Sequence, residues 1–432
     1  MGEVAKMRLF SNIHIINKMK KVDIVNFGSI HSITGPVANL RRILNHKQYF
    51  EDRGYDVTVI ANDSFIIGPM TAVPPSGSEA TKKLSLRMKL SSKLRMSSRN
   101  SRWLSEIVYD RRTQGVKRLI DYYVSLNRTP DIIEFQEWPA CYYYLKNRKE
   151  HHAKVVMFYH TEGIPFEMEL QYYPKLRGSK FISEEQKRFD WTIAHIDKLV
   201  FIARAAQKNF LQCYPNYDVK DTTVILNGID DFSDVEKAFI EKNRDENLTP
   251  QYRFCCTGTI NHRKGQNIIV EALQKLPKDM LNKIHVDLIG EGPERPVLEE
   301  IVNKSGLQNV VNFVGSLPNK EVFKYLAKNN IYILMSRSEG LPISIIEALR
   351  ASLAIISTNI AGIPELVEEG YNGFLLNPSS EELVGLLLKL PEYGWNKIGD
   401  NSRTKFEKEF TFERMKTEYC NMYDSLYENN GK

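Results

Sequence analysis

Short apolar runs recur along this chain, each followed by a longer stretch of helical character, and that alternation leaves few folds open. The first half carries Val22–Phe27, Val57–Ala61, Ile132–Phe135, Val155–Tyr159, Leu199–Ile202 and Val224–Leu226. The second half repeats the pattern with Phe254–Thr257, Val286–Ile289, Val310–Val314, Ile331–Met335, Ala354–Ser357 and Phe374–Leu376. Strands that alternate with helices build βαβ units around a parallel sheet. Two such series in tandem predict an α/β protein with two Rossmann-like domains facing a cleft. With 432 residues, 42% of them hydrophobic, the chain can bury two cores of ordinary domain size. The polar stretch Glu241–Gln251 reads as the hinge-side linker. In Phe410–Tyr427, the residues Phe412, Met415, Tyr419, Met422, Tyr423 and Leu426 recur near helical spacing and read as a packing face.

Other bulk features narrow the class. No stretch reaches the ~20 apolar residues that span a bilayer. Charges interrupt the apolar residues of Met1–Met19 and no small-residue cleavage site follows, so the fold is expected to begin at Lys20 after a lead-in. Cys141, Cys213, Cys255, Cys256 and Cys420 are odd in number and lack metal-ligand spacing, which fits reduced thiols in a cytoplasmic protein. The net charge of +6 is modest, and nucleic acid is not an expected partner.

Residues 338–347 read Ser-Glu-Gly-Leu-Pro-Ile-Ser-Ile-Ile-Glu, with seven residues between Glu339 and Glu347. Ile331–Met335 before them reads as a buried strand and Pro342–Arg350 as a helix with proline in its first turn. Glu339 is then expected in a strand-to-helix loop, at the carboxyl edge where open α/β sheets bind ligands. Glu347 lies further along the helix, within reach of a ligand on the helix start. The amides near Gly340 and Leu341 face the same spot, and a helix amino terminus favours phosphate. Ala361-Gly362-Ile363-Pro364-Glu365 and Asn372-Gly373 follow. This region resembles the Glu-x7-Glu segment of retaining GT-B glycosyltransferases of the family-four type. The resemblance implies a GT-B fold whose C-terminal helix packs back on the first domain. It also implies a nucleotide-sugar donor, UDP- or GDP-linked, with no further cofactor.

Within that resemblance, Gly258-Thr259-Ile260-Asn261-His262-Arg263-Lys264-Gly265 is similar to the segment in which an arginine and a lysine clamp the donor diphosphate. Lys264 matches the lysine. Thr259 stands at the arginine position, and Arg263 is the candidate to supply the missing charge. Gly290 and Gly292 resemble a Gly-x-Gly turn after the second strand of that domain. Leu317 falls in Phe313–Pro318, where backbone groups hold the base in the family. Pro342, Ile343, Gly340 and Leu341 complete the expected donor cradle, with Glu347 on the ribose and Glu339 on the sugar.

In the first half, Thr34-Gly35-Pro36 stands where the family has a glycine pair, and Gly35 is expected near the diphosphate. His160, at the end of Val155–Tyr159, is similar to the histidine that contacts the transferred sugar. Asn227-Gly228-Ile229-Asp230 resembles a junction turn with a hinge role.

The partition expected is a lead-in 1–19, an acceptor domain 20–230, a nucleotide-sugar domain 231–409 and a crossover helix 410–432. Residues 72–102 form a basic insert in the acceptor domain, with Lys82, Lys83, Arg87, Lys89, Lys93, Arg95, Arg99 and Arg102 interleaved with leucines and methionines. Such a stretch suits an anionic membrane surface, peripheral at the inner face, as well as a solvated loop. No Asp-x-Asp motif stands at a strand end, so a bridging metal is not implied. The reading is a retaining, metal-independent hexosyltransferase, with His160, Glu339 and Lys264 in the reaction and a glycan or lipid-linked acceptor. A non-catalytic partner subunit and a sugar-nucleotide epimerase of the same fold are the alternatives.

Overall fold

The structure, a computed structural model, describes residues 19–32, 35–74, 100–148, 152–243 and 250–428. Each of the twelve apolar runs overlaps a strand, from β1 (Lys20–Val25), β2 (Tyr55–Ile60) and β3 (Ile132–Phe135) through β4 (Lys154–Tyr159), β5 (Lys198–Phe201) and β6 (Thr222–Val224), although β6 takes only Val224 of Val224–Leu226. The second series is β7 (Tyr252–Thr257), β8 (Ile284–Ile289), β9 (Val311–Gly315), β10 (Ile331–Leu334), β11 (Ala354–Thr358) and β12 (Gly373–Leu376). Several begin one or two residues early because the backbone ladder enlists polar residues too. Lys20 and Lys21, for example, pair with Tyr55 and Asp56.

Every strand pair is parallel, in two six-stranded sheets ordered β2-β1-β3-β4-β5-β6 and β12-β11-β10-β7-β8-β9. Helices cover both faces, which is why adjacent Cys255 and Cys256, pointing to opposite faces of β7, are both buried. In the second sheet the strand order reverses between β7 and β10. A crevice opens beyond the carboxyl ends of strands at such a switch point, where neighbouring connections run to opposite faces. The corresponding point of the first sheet lies between β1 and β3.

The terminal helix Phe412–Glu428 returns to the first sheet. Tyr419 stacks on Phe158 with centroids 5.2 Å apart, and Tyr427 donates to the Asp131 carbonyl at 3.1 Å. The aromatic face is therefore mostly packing, as its spacing predicts. Its start is pinned at the junction turn, where Ile229 N donates to Phe410 O (3.0 Å) and Phe412 N to Ile229 O (2.8 Å).

Three expectations change in detail. Glu241–Asn243 end the helix Asp234–Asn243 and are not linker, because a polar composition serves an exposed helix end equally well; residues 244–249 lie outside the described part. Of the basic insert, 75–99 lie outside the described residues, and Arg102 opens the helix Arg102–Ser125, pairing with Glu106 at 3.0 Å. All five cysteines are free, but Cys213 is exposed where the others are buried. Among the described residues, no helix is long and apolar enough to cross a membrane.

Candidate active site

The loop after β7 turns through Gly258 and Thr259 into a short turn, His262–Lys264. The Asn261 side chain caps that turn by accepting from Lys264 N at 3.0 Å. Gly265 ends it at φ +71°, and a β-carbon there would stand 1.9 Å from the Met335 carbonyl oxygen. Glycine is thus required to bring the β7 loop against the β10 loop across the switch point.

That approach assembles a charged cluster. Lys264 Nζ lies 2.7 Å and Arg263 Nη1 3.1 Å from Glu339 Oε1. Ser336 Oγ donates to the same oxygen at 2.8 Å. Arg263 also donates to the Ser338 carbonyl at 2.7 Å. Burial pushes the Glu339 carboxyl up, but Lys264 and Arg263 outweigh it and hold the group below the ordinary carboxylate range. Burial lowers the Arg263 guanidinium, and Glu339 with Tyr172 of the first domain raise it above its usual value.

The β10 loop leads through Gly340 and Leu341 into the helix Ile343–Arg350, with Pro342 as its N-cap and not in its first turn. Gly340 lies against the first domain, since a β-carbon on it would stand 3.3 Å from the His160 carbonyl oxygen and 3.1 Å from Ile202 Cδ1. One added on Gly35 would lie 3.3 Å from Ile343 Cδ1, so the first helix, Gly35–Asn45, abuts the same helix start. Asn227 ties the halves together. Its amide donates to Leu341 O at 3.1 Å and accepts from Asn39 Nδ2 at 2.8 Å.

Glu347 is half-buried one turn further along. Burial pushes its carboxyl up, against the pull of Arg350 and Arg42. The His160 ring accompanies Phe158 in a stacked pair 5.9 Å apart and lies 2.6 Å, by Nε2, from Gln136 Oε1. Burial holds that imidazole down to about 4, so it is neutral near pH 7.

Two family models match nearly end to end along this chain: Glycosyltransferase Family 4 over residues 41–231 and Glycosyl transferases group 1 over residues 239–407. The chain is a glycosyltransferase of the GT-B fold. It is 26% identical over 257 residues to an uncharacterized glycosyltransferase of Methanocaldococcus jannaschii, covering 57% of this chain and 64% of that one. It is 25% identical over 386 residues to the amylovoran biosynthesis glycosyltransferase AmsK of Erwinia amylovora, covering 83% and 88%. Among solved structures, Anabaena HepE in complex with UDP superposes with a TM-score of 0.62 at 18% identity over 94% of this chain and all of that one. Sucrose-phosphate synthase of Thermosynechococcus elongatus gives 0.69 at 15% identity over 94% and 99%.

In this glycosyltransferase the fold gathers Lys264, Arg263, Glu339, Gly340, Leu341, Pro342 and Ile343 around one crevice, with His160 and Gly35 facing them from the first domain. Thr259 is exposed at the crevice end of β7, and its carbonyl accepts from Gln266 Nε2 at 3.2 Å. Gly290 packs backbone to backbone, its amide donating to Gly315 O at 2.9 Å, and Leu317 is half-buried beyond the same strand edge. Ser336 and Arg42 escaped the sequence reading. A serine three residues before a glutamate carries no signal until the loop folds, and Arg42 meets Glu347 only across the domain boundary.

Proposed function

We propose that this glycosyltransferase moves a hexose-type sugar, with retention of anomeric configuration, from a UDP- or GDP-sugar to a glycan or lipid-linked acceptor. The observation that carries the reading is the cluster of Lys264, Arg263 and Glu339 at the switch point of the second sheet, beside a helix start. A diphosphate set there would meet two cations and the amides of Gly340 and Leu341. Lys264 stabilises the charge that grows on the leaving phosphate, so it acts more strongly in the transition state than on the bound donor. Among the described residues, Lys264, Arg263 and Ser336 converge on Glu339 Oε1, which leaves Oε2 for hydroxyls of the sugar. Glu347 takes the ribose hydroxyls. His160 and Gly35 close the site from the first domain. The leaving phosphate itself assists deprotonation of the acceptor on the front face.

The solved neighbours support the donor class, since HepE has been crystallised with UDP and with UDP and glucose. The relatives support the pathway class, amylovoran biosynthesis for AmsK and an O-antigen chain for an Escherichia coli mannosyltransferase 26% identical over 285 residues. The intact cluster argues against a non-catalytic subunit. For an acceptor on a lipid carrier, the basic insert 72–102 supplies the membrane contact.

A panel of nucleotide sugars screened by thermal shift identifies the donor, and transfer with that donor then tests the reaction. The expected product keeps the anomeric configuration of the donor by NMR, and turnover survives EDTA. An inverted product refutes the retaining mechanism. Activity lost to chelator and restored by magnesium or manganese refutes the cation-and-dipole account.

A further inference from the structure

Behind His160 lies a polar chain for which donor binding has no use. Glu134 sits on β3 between Ile133 and Phe135 with none of its surface exposed. Burying a carboxyl in an apolar core is unfavourable, and among the described residues no cation acts on it. Its Oε2 accepts from Tyr423 on the terminal helix at 2.8 Å, and its Oε1 accepts from Gln136 Nε2 at 2.5 Å. Gln136, also buried, meets His160 Nε2 through its Oε1 at 2.6 Å.

The chain has a direction. A primary amide donates from nitrogen and accepts at oxygen. Glu134 Oε1 takes the amide's N–H, so the amide oxygen faces the histidine, and a close contact with that oxygen needs a proton on Nε2. The direction is the same whether Glu134 is ionised or carries a proton on Oε2 given to Tyr423, because Oε1 accepts in both cases. A neutral ring protonated at Nε2 keeps its lone pair on Nδ1.

We propose that Glu134, acting through Gln136, is a positioning residue that fixes His160 as the Nε2–H tautomer, so that Nδ1 meets a hydroxyl of the donor sugar as an acceptor. The sugar contact rests on the function proposed above; the tautomer does not. Tyr423 extends the control to the terminal helix, which holds the far oxygen of Glu134 and so couples the crossover to the ring. In this arrangement His160 selects a donor whose facing group can give a hydrogen, a hydroxyl and not an ether.

The test is two-bond ¹⁵N–¹H correlation NMR on full-length, ¹⁵N-histidine-labelled protein without nucleotide at pH 7. The His160 ring is assigned among the nine histidines by its loss in His160→Asn. The expected wild-type pattern is the Nε2–H tautomer, shifting to a mixture in Gln136→Leu and in Glu134→Leu. Where Glu134→Leu fails to fold, Gln136→Leu carries the test, and Glu134→Gln, the isostere of the protonated acid, should keep the Nε2–H tautomer because its amide oxygen still accepts from Gln136. A wild-type Nδ1–H pattern, or leucine variants that keep the wild-type tautomer, overturns the proposal. Because no donor is present, that failure is separate from any failure of the transferase reading. With an active donor, Gln136→Leu is expected to lower sugar transfer about tenfold or more while nucleoside diphosphate affinity stays unchanged, whereas a packing defect would weaken both.

Discussion

At the switch point of the second sheet, two cations stand within 3.1 Å of one carboxylate oxygen, Glu339 Oε1. Across the cleft, the first domain presents Gly35, neutral His160 with the amide of Gln136 behind it, and Arg42 toward Glu347. Both sheets are six-stranded and parallel, yet their strand orders differ. The second places β7 beside β10, so two loops of opposite crossover meet and pool their charges. The first buries two acids in its strands, Asp23 paired with Arg128 at 2.7 Å and Glu134 with no cation acting on it among the described residues. The contrast teaches that a shared architecture does not assign roles. Under the proposed function, the cluster of the second sheet holds and polarises an anion, and the His160 side of the first sheet orients what the anion leaves behind.

The sharpest break in that comparison is Lys264→Ala. Removing a cation from the point where charge develops costs roughly 10²–10³ in turnover. Arg263→Ala is expected to cost less, since that side chain also spends a hydrogen bond on the Ser338 carbonyl. Steady-state transfer rates for the two variants decide it. An inactive Arg263→Ala beside a normal Lys264→Ala would move the clamp to Arg263.

The neutral side is probed by pH. Burial pushes Glu134 up to about 8, while Tyr423 and Gln136 pull the other way. The groups facing it are Gln136 just past its own strand, and Tyr423 and Tyr419 of the terminal helix. A folded-state value above the unfolded one means that the stabilising form is protonated. This contribution is therefore intact below the ordinary glutamate range and is lost as pH rises through about 8. Glu134→Gln does not titrate. Its stability relative to wild type should rise by on the order of 3 kcal/mol between pH 5 and pH 8. Denaturant melts at the two pH values measure it, and parallel curves would show that Glu134 ionises freely.

Much of this was readable before folding. Strands such as Ile331–Leu334, and Ala354–Ile356 within Ala354–Thr358, buried on both faces, leave apolar runs that no polar alternation interrupts. Glu339, Lys264 and the Pro342 helix start were found because their segments resemble a known pattern. What escaped depends on contacts between distant segments. Glu134 looks like an ordinary polar position in Ile-Ile-Glu-Phe, and only the fold brings Tyr423, 289 residues away, onto its carboxylate. That Glu339 spends one oxygen on Lys264, Arg263 and Ser336 was equally invisible, because no spacing rule joins loops after β7 and β10.

The effect expected to touch catalysis and fold least concerns the insert 72–102. Replacing Lys82, Lys83, Lys89 and Lys93 by glutamine should release the protein from anionic liposomes while melting temperature and donor hydrolysis stay near wild type. Each cation near such a surface is worth about 1 kcal/mol, and salt screens it over about 8 Å. Co-sedimentation at low salt checks this. A wild-type protein that ignores the liposomes leaves the insert a solvated loop.

The central claim is that the charged sheet binds the nucleotide, and calorimetric titration of UDP and GDP into wild type, Lys264→Ala and Glu347→Ala tests it most directly. Wild type should bind one of the two nucleotides. Glu347→Ala should lose about 1.5–3 kcal/mol, the worth of hydrogen bonds to a charged acceptor, and Lys264→Ala should weaken binding through the diphosphate. Wild-type affinity in both variants would place the donor elsewhere and contradict the account.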